Sequence, residues 1–415
     1  MFKNLKKIDV FAKNILIVFT GSTLVNFFNL LFQLLIAHSL TPADFASFNS
    51  LLSVFMIISA PLLTLQLALA KYSSEFNAQD KLLKFKSLFS GLFKKLSVIS
   101  IITFFIFLFV SLRLTEALRI QQLSCAYILA LLIAVVWLIP LFNGAIQGLE
   151  LFGWFVTASI ISGALKLILS FILITLGYNI SGALGALLVS GLIGLFILVI
   201  PLKKFIDFTS VKEEINYKEI FFYLFPVAVT NLCFALLTTF DMILVKYFFA
   251  SFDSGVYSLG QMVGKIFLFL PAAVSIVMFP KTSGLKAKNM ETVSTLRRSL
   301  FYVSGLCALA LLVYNFFPGF ILSVLTGKKN PDAIFLGRLF GVSMSLFALL
   351  FTLLSYFLSI QDFRFMKYLV ASTLLQVLGI NFFHPTLVAV QLILCVNAAL
   401  LFLIALMLIS KRKTE

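Results

Sequence analysis

Apolar runs of about twenty residues, each closed by a short polar turn, recur along the whole chain. ILIVFTGSTLVNFFNLLFQLLIA (15–37) gives way to HSLTPADFASFNSL (38–51) and then to SVFMIISAPLLTLQLALA (53–70). A run of this length, helical at 1.5 Å per residue, spans about 30 Å, the thickness of a bilayer's hydrocarbon core. Helix is the form it must take there, because an open backbone in lipid leaves its N–H and C=O groups unpaired. The 415 residues are 61% hydrophobic, with a mean hydropathy of +1.10. A water-soluble fold has no interior large enough for that much apolar surface. The chain therefore reads as an all-α polytopic membrane protein.

Twelve spans are expected, near 14–37, 45–69, 96–112, 123–143, 155–176, 183–202, 220–247, 257–280, 298–317, 334–358, 367–383 and 386–410. The basic start, MFKNLKKIDVFAKN, runs into an apolar stretch too long for a secretory signal and without a small-residue cleavage site. It reads as the first span. With that end inside, the inner segments hold 24 Lys and Arg, against Arg113, Arg119, Lys328 and Lys329 outside. This bias places both termini in the cytoplasm. It also explains the net charge of +16 by the anionic membrane surface, with no role for nucleic acid. The inner segments 70–95 and 203–219 read as lysine-rich amphipathic stretches on the inner leaflet. The outer loops are too short for a domain. The four cysteines are scattered through apolar runs and match no zinc or disulfide spacing, and no cofactor motif is present.

The two halves repeat. LTPADFASFNSLLSV after span 1 matches ASFDSGVYSLGQMVG after span 7, with Phe48 on Tyr257 and Ala46 on Gly255. APLLTLQLALAKYSSE matches LPAAVSIVMFPKTSG, with Pro61 on Pro271 and Lys71 on Lys281. The shift of about 210 residues covers six spans, an even number, so the copies share one topology. The expected organisation is two six-helix bundles, residues 1–205 and 206–415, with a central cavity and alternating access.

Polar groups within spans are costly and point to cavities or partners. Asn26, Asn29 and Gln33 in span 1 are spaced to share one helix face. Gln66 lies in span 2, Lys166 near the middle of span 5, Asn231 and Asp241 in span 7, and Gln261 and Lys265 in span 8. Asp241 and Lys265 are each eight or nine residues from the outer turn, about 12 Å deep, and are expected to approach each other. Blander roles compete: the amides can simply bond neighbouring helices, and Asp241 with Lys265 can be a static ion pair. Lys246 and Arg338 are expected to snorkel from span ends, and His38 and His384 to sit at the interface. Lys166 and Lys265 facing a cavity would suit an anion such as a phosphate or diphosphate.

Over nearly its whole length the chain resembles bacterial polysaccharide-biosynthesis membrane proteins, the O-antigen or capsule flippases of the Wzx type. These belong to the multidrug/oligosaccharidyl-lipid/polysaccharide exporter superfamily. The resemblance is carried by LTPADFASF, LQLALAKYSSE, FNGAIQGLELF, LKLILSFILITLGYNISGALGALLVSG and TTFDMILVKYFFASFDSGVYSLGQMVGK. One departure is Ala46, where the family's first turn has glycine. The resemblance implies a non-enzymatic flippase moving undecaprenyl-diphosphate-linked oligosaccharide from the inner to the outer leaflet. The glycan would pass through a cavity between the bundles lined by spans 1, 2, 7 and 8. Asp241 would couple transport to an ion gradient. Implied partners are that lipid-linked glycan, membrane lipids, and a polysaccharide polymerase and glycosyltransferases. Three other readings stay open: a multidrug or small-molecule exporter of the same superfamily, a membrane polysaccharide polymerase or ligase, and a nontransporting partner of a biosynthetic complex.

Overall fold

The computed structural model describes residues 10–206 and 217–412. Most of the basic N-terminal segment, much of loop 203–219 and the last three residues lie outside them. Sixteen α-helices run in chain order: α1 Val10–Ser39, α2 Pro42–Ser59, α3 Leu62–Ala78, α4 Leu82–Ala117, α5 Ser124–Val136, α6 Ile139–Gly148, α7 Phe152–Thr175 and α8 Asn179–Leu202, then α9 Tyr217–Phe248, α10 Ser251–Phe269, α11 Ala272–Ala287, α12 Val293–Phe316, α13 Pro318–Thr326, α14 Pro331–Ser359, α15 Met366–Phe382 and α16 Leu387–Arg412. Among the described residues there is no strand. Among the described residues eleven helical segments are long and apolar enough to cross a membrane. The expected eleventh span is the shorter apolar helix α15.

Several expected spans are broken helices. Span 2 is α2 and α3, interrupted at Ala60–Pro61, and span 8 is α10 and α11, interrupted at Leu270–Pro271. Proline has no N–H, and its ring clashes with the carbonyl four residues back, so each helix stops and restarts. The copies share backbone detail. Thr41 before α2 has φ −64° and ψ 156°, and Ala250 before α10 has φ −64° and ψ 158°. Ala60 and Leu270 at the breaks both have φ −56° and ψ −48°. The Thr-Pro pair of the outer turn is a helix start. Thr41 Oγ1 accepts from the Asp44 backbone N–H at 3.2 Å, and Pro42 occupies the first turn, where an amide proton has no helical partner.

The helices pack into two compact units. The first takes in Met1–Ser39 and Leu62–Leu224, the second Leu40–Pro61 and Phe225–Glu415. This differs from the expected division at 205/206 chiefly in one element: α2 packs with the C-terminal helices, along α10. The reason is close fit. A Cβ built on Gly255 of α10 would lie 2.9 Å from the carbonyl carbon of Pro42 and 2.9 Å from its Cβ, so only glycine admits α2 this near. The lower half of the same span, α3, belongs to the first unit and lies on α6. There, Cβ atoms on Gly144 and Gly148 would come 2.5 Å from the carbonyl oxygens of Gln66 and Ala70.

In the first unit α7 packs on α1 and α8, and α5 on α4 and α8. The lysine-rich stretch before expected span 3 is the beginning of α4, a single helix of 36 residues. Its Phe85, Leu88 and Phe89 pack against Leu141, Phe142 and Leu202, with the Phe89 and Phe142 rings edge to face at 5.5 Å. In the second unit α14 is central, flanked by α10, α11, α12 and α16. Large apolar side chains such as Phe109, Phe196 and Phe301 point outward, as expected where lipid is the solvent.

Candidate functional site

In the first unit the polar face of α1 meets the middle of α7. The Lys166 ammonium donates to Asn29 Oδ1 and lies 4.7 Å from the centroid of the Phe32 ring. Both partners are uncharged, and among the described residues no carboxylate stands within 4 Å of this cation. An amide oxygen and the negative face of a ring partly satisfy the ammonium, leaving it suited to an anionic oxygen. Asn26 and Gln33 share the α1 face, Asn26 exposed and Gln33 half-buried, and neither side chain forms a hydrogen bond to another described residue. Gln66 is half-buried on α3, where its backbone oxygen meets the Gly144 contact. Asn231 is half-buried on α9.

In the second unit Asp241 of α9 is fully buried. Tyr257 donates its hydroxyl to Asp241 Oδ2 at 2.7 Å, and Gln261 Nε2 donates to the same oxygen at 3.2 Å. Tyr257 and Gln261 are one turn apart on α10, on the side facing α9. The network continues outward: Gln391 Nε2 of α16 donates to the Tyr257 oxygen at 2.8 Å, and Ser343 of α14 donates to Gln391 Oε1 at 3.2 Å. Four helices are thus joined around one carboxylate. One acceptor in this cluster, Gln261 Oε1, is buried and has no partner among the described residues. Below it, Asn397 Nδ2 donates to Gln376 Oε1 at 3.0 Å, and Gln376 Nε2 donates to the backbone oxygen of Leu237 at 2.8 Å.

Asp241 and Lys265 do not pair: no ion pair within 4 Å joins them. Lys265 Nζ donates instead to Asn49 Oδ1 of α2 at 3.5 Å, and Asn49 Nδ2 donates to Ser258 Oγ at 2.8 Å. The reason is angular. At about 100° per residue, Lys265 and Ser258 lie some 80–100° around α10 from Tyr257. One edge of this polar arc faces Asp241 and the other faces α2. Equal depth brings the two near enough to attract each other through space, but not into contact.

Lys246, expected to snorkel, is buried. Arg338 is exposed, as expected for a snorkelling side chain. His384 stacks on Phe248 with ring centroids 3.8 Å apart, and exposed His38 bonds back to the Leu34 backbone oxygen. Asn49, Tyr257, Gln391 and Phe32 complete these clusters, although none was singled out by sequence as a site residue. Asn49 lay within the repeated turn, and its offset to Ser258 is the repeat offset of 209. Among the described residues no group of three or more His, Cys, Asp or Glu side chains could hold a metal ion.

A family model described as polysaccharide biosynthesis protein matches residues 11–286. An uncharacterised membrane protein of Methanocaldococcus jannaschii is 29% identical over 226 residues, covering 51% of this chain and 53% of that protein. The match thus spans about half the length of that relative. Among solved structures, an inward-facing multidrug resistance MATE family transporter of the MOP superfamily aligns with a TM-score of 0.77 and 16% identity, over 94% of this chain and 96% of that one. The lipid II flippase MurJ, in an inward closed conformation, aligns with a TM-score of 0.73 and 14% identity, over 95% and 87%. A MOP superfamily transporter from Pyrococcus furiosus, described as having a binding pocket of reverse polarity, aligns with a TM-score of 0.58 and 16% identity, over 96% and 95%. At these identities the likeness is one of fold.

Proposed function

The chain belongs to the polysaccharide biosynthesis protein family and has the fold of a MOP-superfamily transporter, and from this premise we propose that it is a lipid-linked oligosaccharide flippase. It moves undecaprenyl-diphosphate-linked glycan from the inner to the outer leaflet of the cytoplasmic membrane by alternating access, with both termini in the cytoplasm. The work is transport, without bond making. The observation that carries this reading is Lys166, a cation set among neutral partners. Lys166 has Asn29 and Phe32 and no carboxylate within 4 Å among the described residues, while Lys265 bonds to Asn49 with Asp241 near enough to attract it through space. A diphosphate supplies the missing negative charge as a dense set of acceptors, and a lysine meets it as a point charge. The exposed amide Asn26, the half-buried Asn29, Gln33, Gln66 and Asn231, and the buried Gln261 offer hydrogen bonds of the kind a sugar needs. Fold similarity to a lipid II flippase supports a lipid-linked substrate.

Asp241 is the group proposed to couple transport to an ion gradient. Its carboxylate is buried with two neutral donors, and an orphaned acceptor, Gln261 Oε1, belongs to the same cluster. Glycosyltransferases that build the lipid-linked unit and a polymerase that consumes it are the proposed partners.

The test is a gene deletion, followed by mass spectrometry of membrane lipids and digestion of intact cells with an added glycosidase. The expected result is an accumulated lipid-linked oligosaccharide shielded from the enzyme, rescued by the wild-type gene and not by Lys166→Ala. An unchanged lipid pool in a strain with no redundant flippase refutes the reading and brings forward a small-molecule exporter.

A further inference from the structure

The hydrogen bond between Asn49 and Ser258 joins equivalent positions of the two repeats. Both helices follow the outer turn of their repeat, and here α2 and α10 meet at matching positions. The crossing is tight. Phe45 to Ser53 of α2 are all buried, and so is Ser254 to Gly264 of α10. The contact also buries serines of both helices, Ser47, Ser50 and Ser53 on α2 and Ser254 and Ser258 on α10, and among them Asn49 meets Lys265.

Asn49 uses both ends of its side chain. Its Nδ2 donates to Ser258 Oγ at 2.8 Å while its Oδ1 accepts from Lys265 Nζ at 3.5 Å. Turning the amide over would set its NH2 against the ammonium, so Lys265 fixes the orientation in which Asn49 can hold Ser258. The Lys265 side is the weak side of this arrangement. The ammonium has three N–H groups, and among the described residues its one acceptor is a neutral amide at long range. The bond to Asn49 is at the long limit of hydrogen-bond geometry, and an anionic oxygen at about 2.8 Å adds the attraction of a second full charge. An anionic oxygen therefore outcompetes Asn49 for Lys265.

We propose that Asn49 is a latch between α2 and α10 whose hold is set by the occupancy of Lys265. With Lys265 bonded to Asn49, α2 stays docked on α10. When a diphosphate headgroup takes the ammonium, Asn49 loses the bond that orients it and α2 loosens. The loosened element ends at the Ala60–Pro61 break, beyond which α3 packs with other helices, so the chain has a ready pivot there. The inference rests on the reading above that Lys265 meets the headgroup. Asn49 acts as a positioning residue, and Lys265 as the group that senses the ligand.

The test uses the full chain in lipid nanodiscs, with its four cysteines replaced and Ser50→Cys added as a probe. Ser50 is fully buried on α2, and its hydroxyl bonds only within that helix, to the Ser47 backbone oxygen. The rate of maleimide labelling reads how often α2 leaves its seat. Undecaprenyl diphosphate in the nanodisc is expected to raise the rate roughly tenfold, the effect of one charge-assisted hydrogen bond, while undecaprenol does not. Asn49→Ala labels fast without ligand. Asn49→Asp pairs directly with Lys265 and labels slowly with or without ligand, which keeps the test decisive if the alanine variant misfolds. Diphosphate that binds, by retention of radiolabelled lipid, yet leaves the wild-type rate unchanged overturns the latch and leaves the flippase reading standing. Diphosphate that does not bind removes the anion reading and the latch together.

Discussion

Gly255→Ala should cost this protein stability, although the same change in a helix usually adds some. Alanine favours helix over glycine by about 0.5–1 kcal/mol. At Gly255 the new Cβ would lie 2.9 Å from the carbonyl carbon of Pro42, 2.9 Å from its Cβ and 3.0 Å from its oxygen. Two of these atoms are backbone and the third is in a ring, so no side-chain rotation relieves the clash. The helix α2 must move as a body, a form of overpacking that costs about 1–3 kcal/mol. Set against the helix gain, the expected net loss is about 1 kcal/mol and at most about 2.5 kcal/mol, read as a lower Tm in detergent. Gly305→Ala is the matched control. It sits within α12, where a Cβ meets nothing within 4 Å, so only the propensity gain remains and Tm should hold or rise. The two variants are chemically identical and should differ in sign. A Gly255→Ala protein as stable as wild type, or an equal loss in Gly305→Ala, would refute the argument that close approach of α2 to α10 requires this glycine.

Tyr257→Phe removes the 2.7 Å donor to Asp241 and should destabilise the second unit by about 1.5–3 kcal/mol, measured as a fall in Tm. Lys166→Met should abolish retention of undecaprenyl diphosphate while Tm stays level or rises, because a part-buried cation among neutral groups gives way to an apolar chain of similar length. Asp241→Asn keeps oxygen acceptance from Tyr257 and Gln261 and should fold. In proteoliposomes its transport should no longer respond to an imposed ion gradient, and a retained response would sink the coupling role.

The spans were legible because a bilayer imposes a length, and length survives in a sequence as uninterrupted apolarity. Breaks at Pro61 and Pro271 were also legible, since proline's missing N–H acts locally. The extent of α4 was not. Lys84, Lys86, Lys94 and Lys95 lower hydropathy without weakening helix formation, so the apolar run begins well after the helix does. Asp241 and the two lysines could be found as charges in the wrong solvent. Their partners could not: counting residues from the turn gives depth, and Lys265 needed an angle as well. Tyr257 was hidden because an aromatic in an apolar run looks like core until its hydroxyl is placed. The seating of α2 was beyond any local pattern, because its partner lies 209 residues away.

That separation gives the chain a problem of timing during its synthesis. α2 leaves the ribosome early, with Ser47, Asn49, Ser50 and Ser53 among the residues it must later bury. Its seat, α10, is made about two hundred residues afterwards, roughly 10–40 s later at about 5–20 residues per second. For that interval the first half of the protein carries a membrane helix whose polar face has no resting place. A nascent chain stalled before residue 250 should be the species most readily captured by membrane chaperones or proteases. It follows too that a C-terminal fragment beginning at Phe225 lacks a piece of its own unit, while one supplied with residues 40–61 as a separate peptide has the parts to complete it.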